Sequence, residues 1–423
     1  MVGLVTAREA CREAGLTGSA SGGYAGSSDC AMPIYLDHNA TTPVAPEVLE
    51  AMLPYLRDAY GNASSMHSAG QKARAAVDAA RDQVARLIGA KPAEVVFTSG
   101  GTEADNLAIL GLLDAALASA AEVGAARPHL ITTGIEHHAV LNAAEELENR
   151  GADVTYVLPD ALGTVSVEAI RAAIRPETFL VSVMHANNET GALQPIEEIA
   201  ALAAERDIYF HVDAVQSAGK LPLDVKRLGV DLMTLSAHKI YGPKGAGALY
   251  VRSGTPIAPQ MFGGHHERDR RPGTENVAAI AGFGRAAKLA NQHLAEASEM
   301  QRIGELRDKL EQGILASVSH TRVNGDRRRR VANTSNILFE GVYGEACVIA
   351  LDLLGVATST GAACSSGAVE TSHVLKAMGL SDSEARSSVR FSLGRSTTSE
   401  DIERAITAVG DTVARMREVV ANP

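Results

Sequence analysis

The chain has 423 residues, 46% of them hydrophobic and 21% charged, with a net charge of −11. The length allows two or more domains, and the acidic balance argues against non-specific binding to nucleic acid or to an anionic membrane. No stretch reads as a membrane span, since the most apolar one, Leu107 to Ala126, is alanine-rich, carries Asp114 and Glu122, and has the pattern of a buried helix.

Residues before Met32 lack the apolar core of a signal segment, and Leu16 to Cys30 is rich in Gly, Ser and Ala. Residues 1–31 therefore read as a disordered extension, with Met32 a candidate start. Apolar residues at helical spacing over Gln71–Leu87 predict a helix. Short apolar runs follow at Val95–Phe97, Leu130–Thr132, Val154–Val157, Phe179–Val183, Ile208–Val212 and Asp231–Leu235, most separated by helical stretches. That alternation predicts an α/β fold, a mostly parallel sheet with helices on both faces, and such sheets bind ligands at the carboxyl ends of their strands. After about Ala290 the pattern changes. A polar helix over Glu296–Ser317 precedes strands at Ser335–Phe339 and Val389–Leu393, and a final helix puts Ile402, Ile406, Val409, Val413 and Met416 on one face. Thr398, with Asp401 three residues on, is its expected cap. This part reads as a second, smaller α+β domain.

The four cysteines form no Cys-x-x-Cys pair, which argues against a zinc site or a disulfide scaffold and for a reducing cytoplasm. Cys347, in an apolar run, reads as a packed core thiol. Cys364 lies in Thr358-Ser359-Thr360-Gly361-Ala362-Ala363-Cys364-Ser365-Ser366-Gly367, a run of small residues that suits an exposed loop and a nucleophilic thiol. The run Arg327–Arg330, after Asn324-Gly325-Asp326, reads as a solvated loop.

Several strand ends carry chemistry. Lys239 closes Leu235-Ser236-Ala237-His238-Lys239, and Asp213 closes Ile208–Val212, with Gln216 just beyond. A lysine and a carboxylate from neighbouring strands are the pair that pyridoxal phosphate needs: the amine forms a Schiff base and the carboxylate keeps the pyridine nitrogen protonated. Val95–Glu103 is a strand, a glycine turn and a helix start, so Gly101 and Thr102, with Ser236 and His238, form a candidate phosphate cup; no Gly-Lys-Ser/Thr follows to make a Walker loop. His137, in Ile135-Glu136-His137-His138, is a candidate to stack on a flat ring, or a polar residue that opens a helix. Asn188, in His185-Ala186-Asn187-Asn188-Glu189, is a candidate for a phenolic oxygen or the substrate, with a turn-forming Asn pair as the alternative. Arg390, in Ser388-Val389-Arg390-Phe391-Ser392, offers a bidentate partner for a carboxylate, or a structural ion pair.

Together these stretches resemble the cysteine desulfurases, pyridoxal-phosphate enzymes of the class V aminotransferase group. Tyr35-Leu36-Asp37-His38-Asn39-Ala40-Thr41-Thr42-Pro43, Tyr60-Gly61-Asn62-Ala63-Ser64-Ser65-Met66-His67 and Gly263-Gly264-His265-His266-Glu267-Arg268 belong to the same match, which runs from Tyr35 to the last helix. The resemblance implies a fold-type I transferase: a seven-stranded sheet in a large cofactor-binding domain (47–290) and a small domain (32–46 and 291–423) bearing the cysteine loop. It implies that Lys239 holds pyridoxal phosphate, Asp213 pairs with its ring nitrogen, His137 stacks on the ring, and Gln216 and Asn188 contact the phenolic oxygen or nearby groups. Gly101, Thr102, Ser236 and His238 are expected on the phosphate. Thr274, in Pro272-Gly273-Thr274-Glu275-Asn276, is expected to reach the partner's phosphate in a homodimer. Arg390 is expected to anchor the carboxylate of L-cysteine and Cys364 to take its sulfur as a persulfide, leaving L-alanine.

The Cys364 run resembles the long-loop group, which hands sulfur to a scaffold or carrier protein; iron–sulfur cluster assembly is the leading role and tRNA thiolation the second. No metal, membrane or direct nucleic-acid partner is expected. The chain departs from many relatives at Thr360-Gly361-Ala362-Ala363, where they have Ser-Gly-Ser-Ala, and at His265-His266, where they have Gly-Gln. A selenocysteine lyase, an ordinary aminotransferase or decarboxylase of the same fold, and a non-catalytic sulfur-relay platform are the alternatives.

Overall fold

The computed structural model describes residues 33–123, 127–361 and 371–421. The expected disordered extension, 1–31, lies outside them. Among the described residues twelve strands occur, most of them separated by helices, in chain order: β1 (Ile34–Tyr35), β2 (Val95–Thr98), β3 (His129–Thr133), β4 (Asp153–Val157), β5 (Thr178–Met184), β6 (Tyr209–Asp213), β7 (Leu232–Ser236), β8 (Gly247–Val251), β9 (Thr321–Asn324), β10 (Thr334–Phe339), β11 (Val356–Ala357) and β12 (Ser388–Ser392).

Seven of them form one sheet in the order β2-β8-β7-β6-β5-β3-β4, parallel except for β8, which runs antiparallel between β2 and β7. All six apolar runs singled out in the sequence are strands of this sheet. The strand β8, Gly-Ala-Leu-Tyr-Val, is the one the sequence reading passed over, because it returns from β7 without a helix between them. Alternation along the strands separates the two faces. Val95, Phe97, Phe210 and Val212 pack against helices Ser68–Leu87, Ile196–Glu205 and Val277–Glu296, whereas Val96, Leu130 and Leu180 pack against Gly101–Val123 and His138–Asn149. A sheet covered on both sides has no solvated face, which is why its strands read as unbroken apolar runs.

A second sheet, β12-β10-β9, is antiparallel, and β1 pairs with β11. Ile34, Leu36, Ile337, Phe391, Ile402, Val409 and Val413 form its core, and Cys347 is buried there as expected. Burial alone pushes the Cys347 thiol up to about 12, so it stays protonated and unreactive. Thr398 and Asp401 make the expected reciprocal cap, Thr398 N donating to Asp401 Oδ2 at 2.9 Å and Asp401 N to Thr398 Oγ1 at 3.1 Å.

Two expectations need correction. The polar helix does not begin at Glu296. One helix ends there, Ala297 takes a left-handed φ of 53°, and Ser298–Ser317 starts a new direction. The turn lets Ala286, Ala287 and Ala290 serve the large core while Ile303, Leu310 and Ile314 serve the small one. The arginine run is also not wholly solvated. Arg327–Arg329 are exposed, but Arg330 is buried against Glu311, which also accepts from Ser335 Oγ at 2.7 Å. Removing one partner of a buried pair strands the other charge. Glu311→Ala is expected to cost about 3–5 kcal/mol of stability, read as a lower thermal midpoint, and a shift indistinguishable from a surface mutation would refute the pairing.

Candidate active site

The site lies where the fold rule places it, at the carboxyl ends of the parallel strands. A cavity of about 370 Å³ there is lined by Gly101, Thr102, His137, Asn188, Asp213, Gln216, Ser236, His238, Lys239 and Arg390, together with Asn39, Asp105 and Ser359. The fold thus brings together every residue expected in the site except Thr274 and Cys364. Thr274 is exposed and does not line the cavity. Cys364 lies outside the described residues.

Lys239 is delivered by a tight turn after β7. Ala237 O accepts from both Ile240 N and Gly242 N, and Tyr241 takes a left-handed φ of 66°. The amine donates to the carbonyls of Asn39 (2.5 Å) and Ala40 (2.7 Å). Burial and the nearby Arg390 guanidinium lower its pKa to about 8, with Asp213 and Asp37 opposing. Asp213 ends β6, one strand away. Its Oδ1 accepts from Val215 N at 2.9 Å, and burial raises its pKa against the pull of that bond and of Lys239. Two further buried acids stand near it. Burial, then the charge of Asp213, raises Asp105, and burial raises Glu136 to about 8.

His137 caps helix His138–Asn149, its Nδ1 accepting from Ala139 N at 3.1 Å. That bond leaves Nδ1 without a proton, and burial, helped by Lys239, lowers its pKa to about 4. At neutral pH the ring is an uncharged flat surface in the cavity wall. The helix-opening alternative and the cavity-facing one therefore hold for the same residue. The Asn pair divides its work. Asn187 makes the turn, its Oδ1 accepting from Glu189 N (2.9 Å) and Thr190 N (3.0 Å), while Asn188 lines the cavity.

At the other end the helix from Gly101 opens into an adjoining cavity of about 530 Å³, shared by Gly100, Thr102, Ser236, His238 and Lys244. The backbone is drawn in closely: a Cβ on Gly247 would lie 2.5 Å from the Gly100 carbonyl carbon. Ser236 Oγ is buried with no hydrogen-bond partner, a cost that an anion seated on the helix terminus removes. His238 Nδ1 is 3.1 Å from Thr41 Oγ1.

Arg390, on β12, donates from Nη2 to Asp37 Oδ1 at 2.7 Å and from Nη1 to Asn188 O at 3.0 Å, while its buried Nε is unpartnered. It makes an ion pair and also faces the cavity. Its backbone exchanges hydrogen bonds with Ser359, and Ser359 Oγ accepts from Gly361 N at 3.0 Å, so the segment leading to Cys364 departs from the cavity rim. Gly361 has φ of 90° and a Cβ there would lie 2.9 Å from Glu189 Oε2, which demands glycine.

His265 and His266 differ in setting. His265 is exposed with Nδ1 2.5 Å from Asp269 Oδ1, whereas His266 is largely covered and faces Glu275 at 4.0 Å. The sequence reading missed Asn39, Lys220 and Asp105. Of these only Asp105 carried a local signal, since it sits four residues into the helix from Gly101, at helical spacing from a residue already chosen.

A helix terminus with an unpartnered hydroxyl, a buried carboxylate, an amine with a lowered pKa and a neutral ring match the phosphate, ring nitrogen, aldehyde and flat face of pyridoxal phosphate. The comparisons agree. The family model for class-V aminotransferases matches residues 34–405. A cysteine desulfurase of Trichormus azollae is 49% identical over 384 residues, covering 91% of this chain and 94% of the relative. The solved structure of a NifS-like protein is similar with a TM-score of 0.83 at 35% identity, covering 91% of this chain and all of that one. SspA, solved in complex with cysteine, gives 0.73 at 39% identity over 85% of this chain and 98% of its own. The chain therefore belongs to the class-V aminotransferase family, among its cysteine desulfurases, and is a pyridoxal-phosphate-dependent enzyme.

Proposed function

We propose that the chain takes sulfur from L-cysteine onto Cys364 and passes it to an acceptor protein, with iron–sulfur cluster assembly the leading destination and tRNA thiolation the second. The observation that carries this is the shared cavity: Lys239, Asp213 and Arg390 line it with Ser359 and Gly361, which open the segment bearing Cys364. That a related protein, SspA, was solved in complex with cysteine supports the substrate.

Pyridoxal phosphate, when bound, supplies the electron sink that acidifies the substrate Cα proton. Gly101, Thr102, Ser236 and His238 hold its phosphate, Asp213 its ring nitrogen, His137 its face, and Asn188 and Gln216 its phenolic side. Arg390 binds the substrate carboxylate. Lys239 removes the Cα proton and returns a proton to Cβ, a task suited to an amine whose pKa is near 8. The Cys364 thiolate attacks the substrate sulfur. The Cβ–S bond breaks and an S–S bond forms; the sulfur is oxidised to the persulfide level as the carbon is reduced to a methyl group. The balance is L-cysteine plus enzyme thiol giving L-alanine plus enzyme persulfide.

Tyr60, Met66 and Phe262 are exposed at 84, 92 and 92%. This supports a homodimer in which Thr274 completes the neighbour's phosphate cup, since Gly263 approaches Pro272 and Arg74 joins Ala63 O to Glu275. The separate core around β10 and β12 supports a small domain of 32–46 and 291–423 beside a large one of 47–290. The four cysteines, with no Cys-x-x-Cys pair in the sequence, support a cytoplasmic site; among the described residues no helix is long and apolar enough to cross a membrane.

The test is alanine formed from L-cysteine with a reductant present. Cys364→Ala is expected to lower it about 100-fold. Equal alanine from both proteins would remove Cys364 from the reaction and favour a lyase acting without a thiol.

A further inference from the structure

Lys220 stands beside this site without a role in the reaction as described. Its Nζ donates to Gln216 Oε1 at 2.9 Å and to Asn39 Oδ1 at 3.0 Å. Both acceptors are neutral amides, an unusual pairing for a half-buried lysine amine, which ordinarily seeks a carboxylate. The arrangement has a consequence for Gln216. Charged or neutral, the amine has N–H donors for both oxygens, so with Lys220 donating the amide turns its oxygen to Lys220 and its NH2 the other way. One N–H of that NH2 donates to Asn39 O at 2.9 Å, the carbonyl that also accepts from Lys239 Nζ. The other is left for the cavity that Gln216 lines.

Asn39 is held just as firmly. Its Oδ1 also accepts from Asn333 Nδ2 at 3.0 Å, and its Nδ2 donates to Asn188 O at 3.0 Å and Thr334 Oγ1 at 2.8 Å. Neither amide is free to flip while Lys220 is in place.

We propose that Lys220 is a positioning residue for the cofactor site, fixing the Gln216 amide with its N–H side toward the cavity so that it can donate to an oxygen of bound pyridoxal phosphate. The inference rests on the cofactor reading given above. It also accounts for a cost, since burial, together with the charges of Lys239 and Arg390, pulls the Lys220 pKa down to about 7. A methionine would fill the same space without that cost.

The test is a double-mutant cycle read as pyridoxal-phosphate affinity, with the full-length chain stripped of cofactor and titrated. Lys220→Met and Gln216→Ala are each expected to weaken binding about 10-fold, and the double variant is expected to bind within about 2-fold of Gln216→Ala alone. Additive losses would show that Lys220 acts on something other than Gln216 and would overturn the proposal. Unchanged affinity in Gln216→Ala would overturn it as well, while leaving the cofactor reading intact. Failure of the wild type to bind pyridoxal phosphate would instead sink that reading itself. Lys220→Ala gives the same cycle should Lys220→Met not fold. Lys220→Gln, whose amide can still donate to Gln216 Oε1, is expected to recover most of the affinity, which a purely space-filling role would not predict over methionine.

Discussion

Lys239→Ala is expected to slow alanine formation from L-cysteine by about 10⁴-fold, the upper end of what a positioned acid–base group contributes. The amine is the group in the cavity placed to move protons at neutral pH: His137 is held to about 4, and burial raises the carboxyls of Asp105 and Glu136. The variant should still fold. Among the described residues the Lys239 amine bonds only to the carbonyls of Asn39 and Ala40, which water entering the vacated space can satisfy. Loss of a cation also relieves Lys220, whose pKa Lys239 depresses. Lys239→Arg separates charge from proton transfer. It keeps the cation but never deprotonates, so it is expected to be nearly as slow as the alanine variant. A small primary amine added to Lys239→Ala should restore part of the rate. Alanine formation within 10-fold of wild type in either variant would remove Lys239 from the proton-transfer role.

How much of this site could be read from the chain depended on where its residues stand. Asp213, Ser236 and Lys239 follow apolar runs that only a doubly covered strand explains, and in parallel sheets ligands bind at those ends. Gly101 and Thr102 were legible as a strand–glycine–helix junction, and His137 as a polar residue opening a helix. Their chemistry was local, so local patterns found them. Asn39 and Lys220 were not legible because their meaning is wholly tertiary. Asn39 reaches partners 149 to 353 residues away, and nothing in Asp-His-Asn-Ala-Thr-Thr indicates that its carbonyl receives the Lys239 amine. Arg330 was misjudged for the same reason. A run of four arginines reads as solvated until Glu311, 19 residues earlier on a helix, is folded beneath one of them. The break at Ala297 was legible to within two residues, since the change of pattern put the start of the polar helix at Glu296; the left-handed turn itself shows only in the structure, where the two helices serve separate cores.

Asp213→Asn is expected to lower kcat/KM for L-cysteine by about 10³-fold, since the amide keeps the shape and loses the charge that holds the cofactor's ring nitrogen protonated. The pH dependence of pyridoxal-phosphate affinity identifies the cause. Burial raises the Asp213 pKa, so at acid pH the carboxyl is neutral and wild type and variant should bind alike. As pH rises from about 5 to 8 the carboxyl ionises, and the ratio of wild-type to variant affinity should grow and then level off. The cofactor's phosphate titrates in both proteins and cancels in the ratio, so the ratio reports the coupling between Asp213 and the ring nitrogen. The same carboxyl is a burden without the cofactor. An acid whose folded pKa is raised contributes stability below its unfolded pKa, and that stability is lost as pH rises through the folded value. The cofactor-free Asp213→Asn protein should therefore melt above the cofactor-free wild type at alkaline pH and close to it at acid pH. A variant with higher apo stability and far lower activity shows a residue kept for its charge on the bound cofactor. Lower apo stability at every pH would show instead that Asp213 serves the fold, and the assignment of the ring-nitrogen partner would have to move to Asp105, the next carboxyl in the cavity wall.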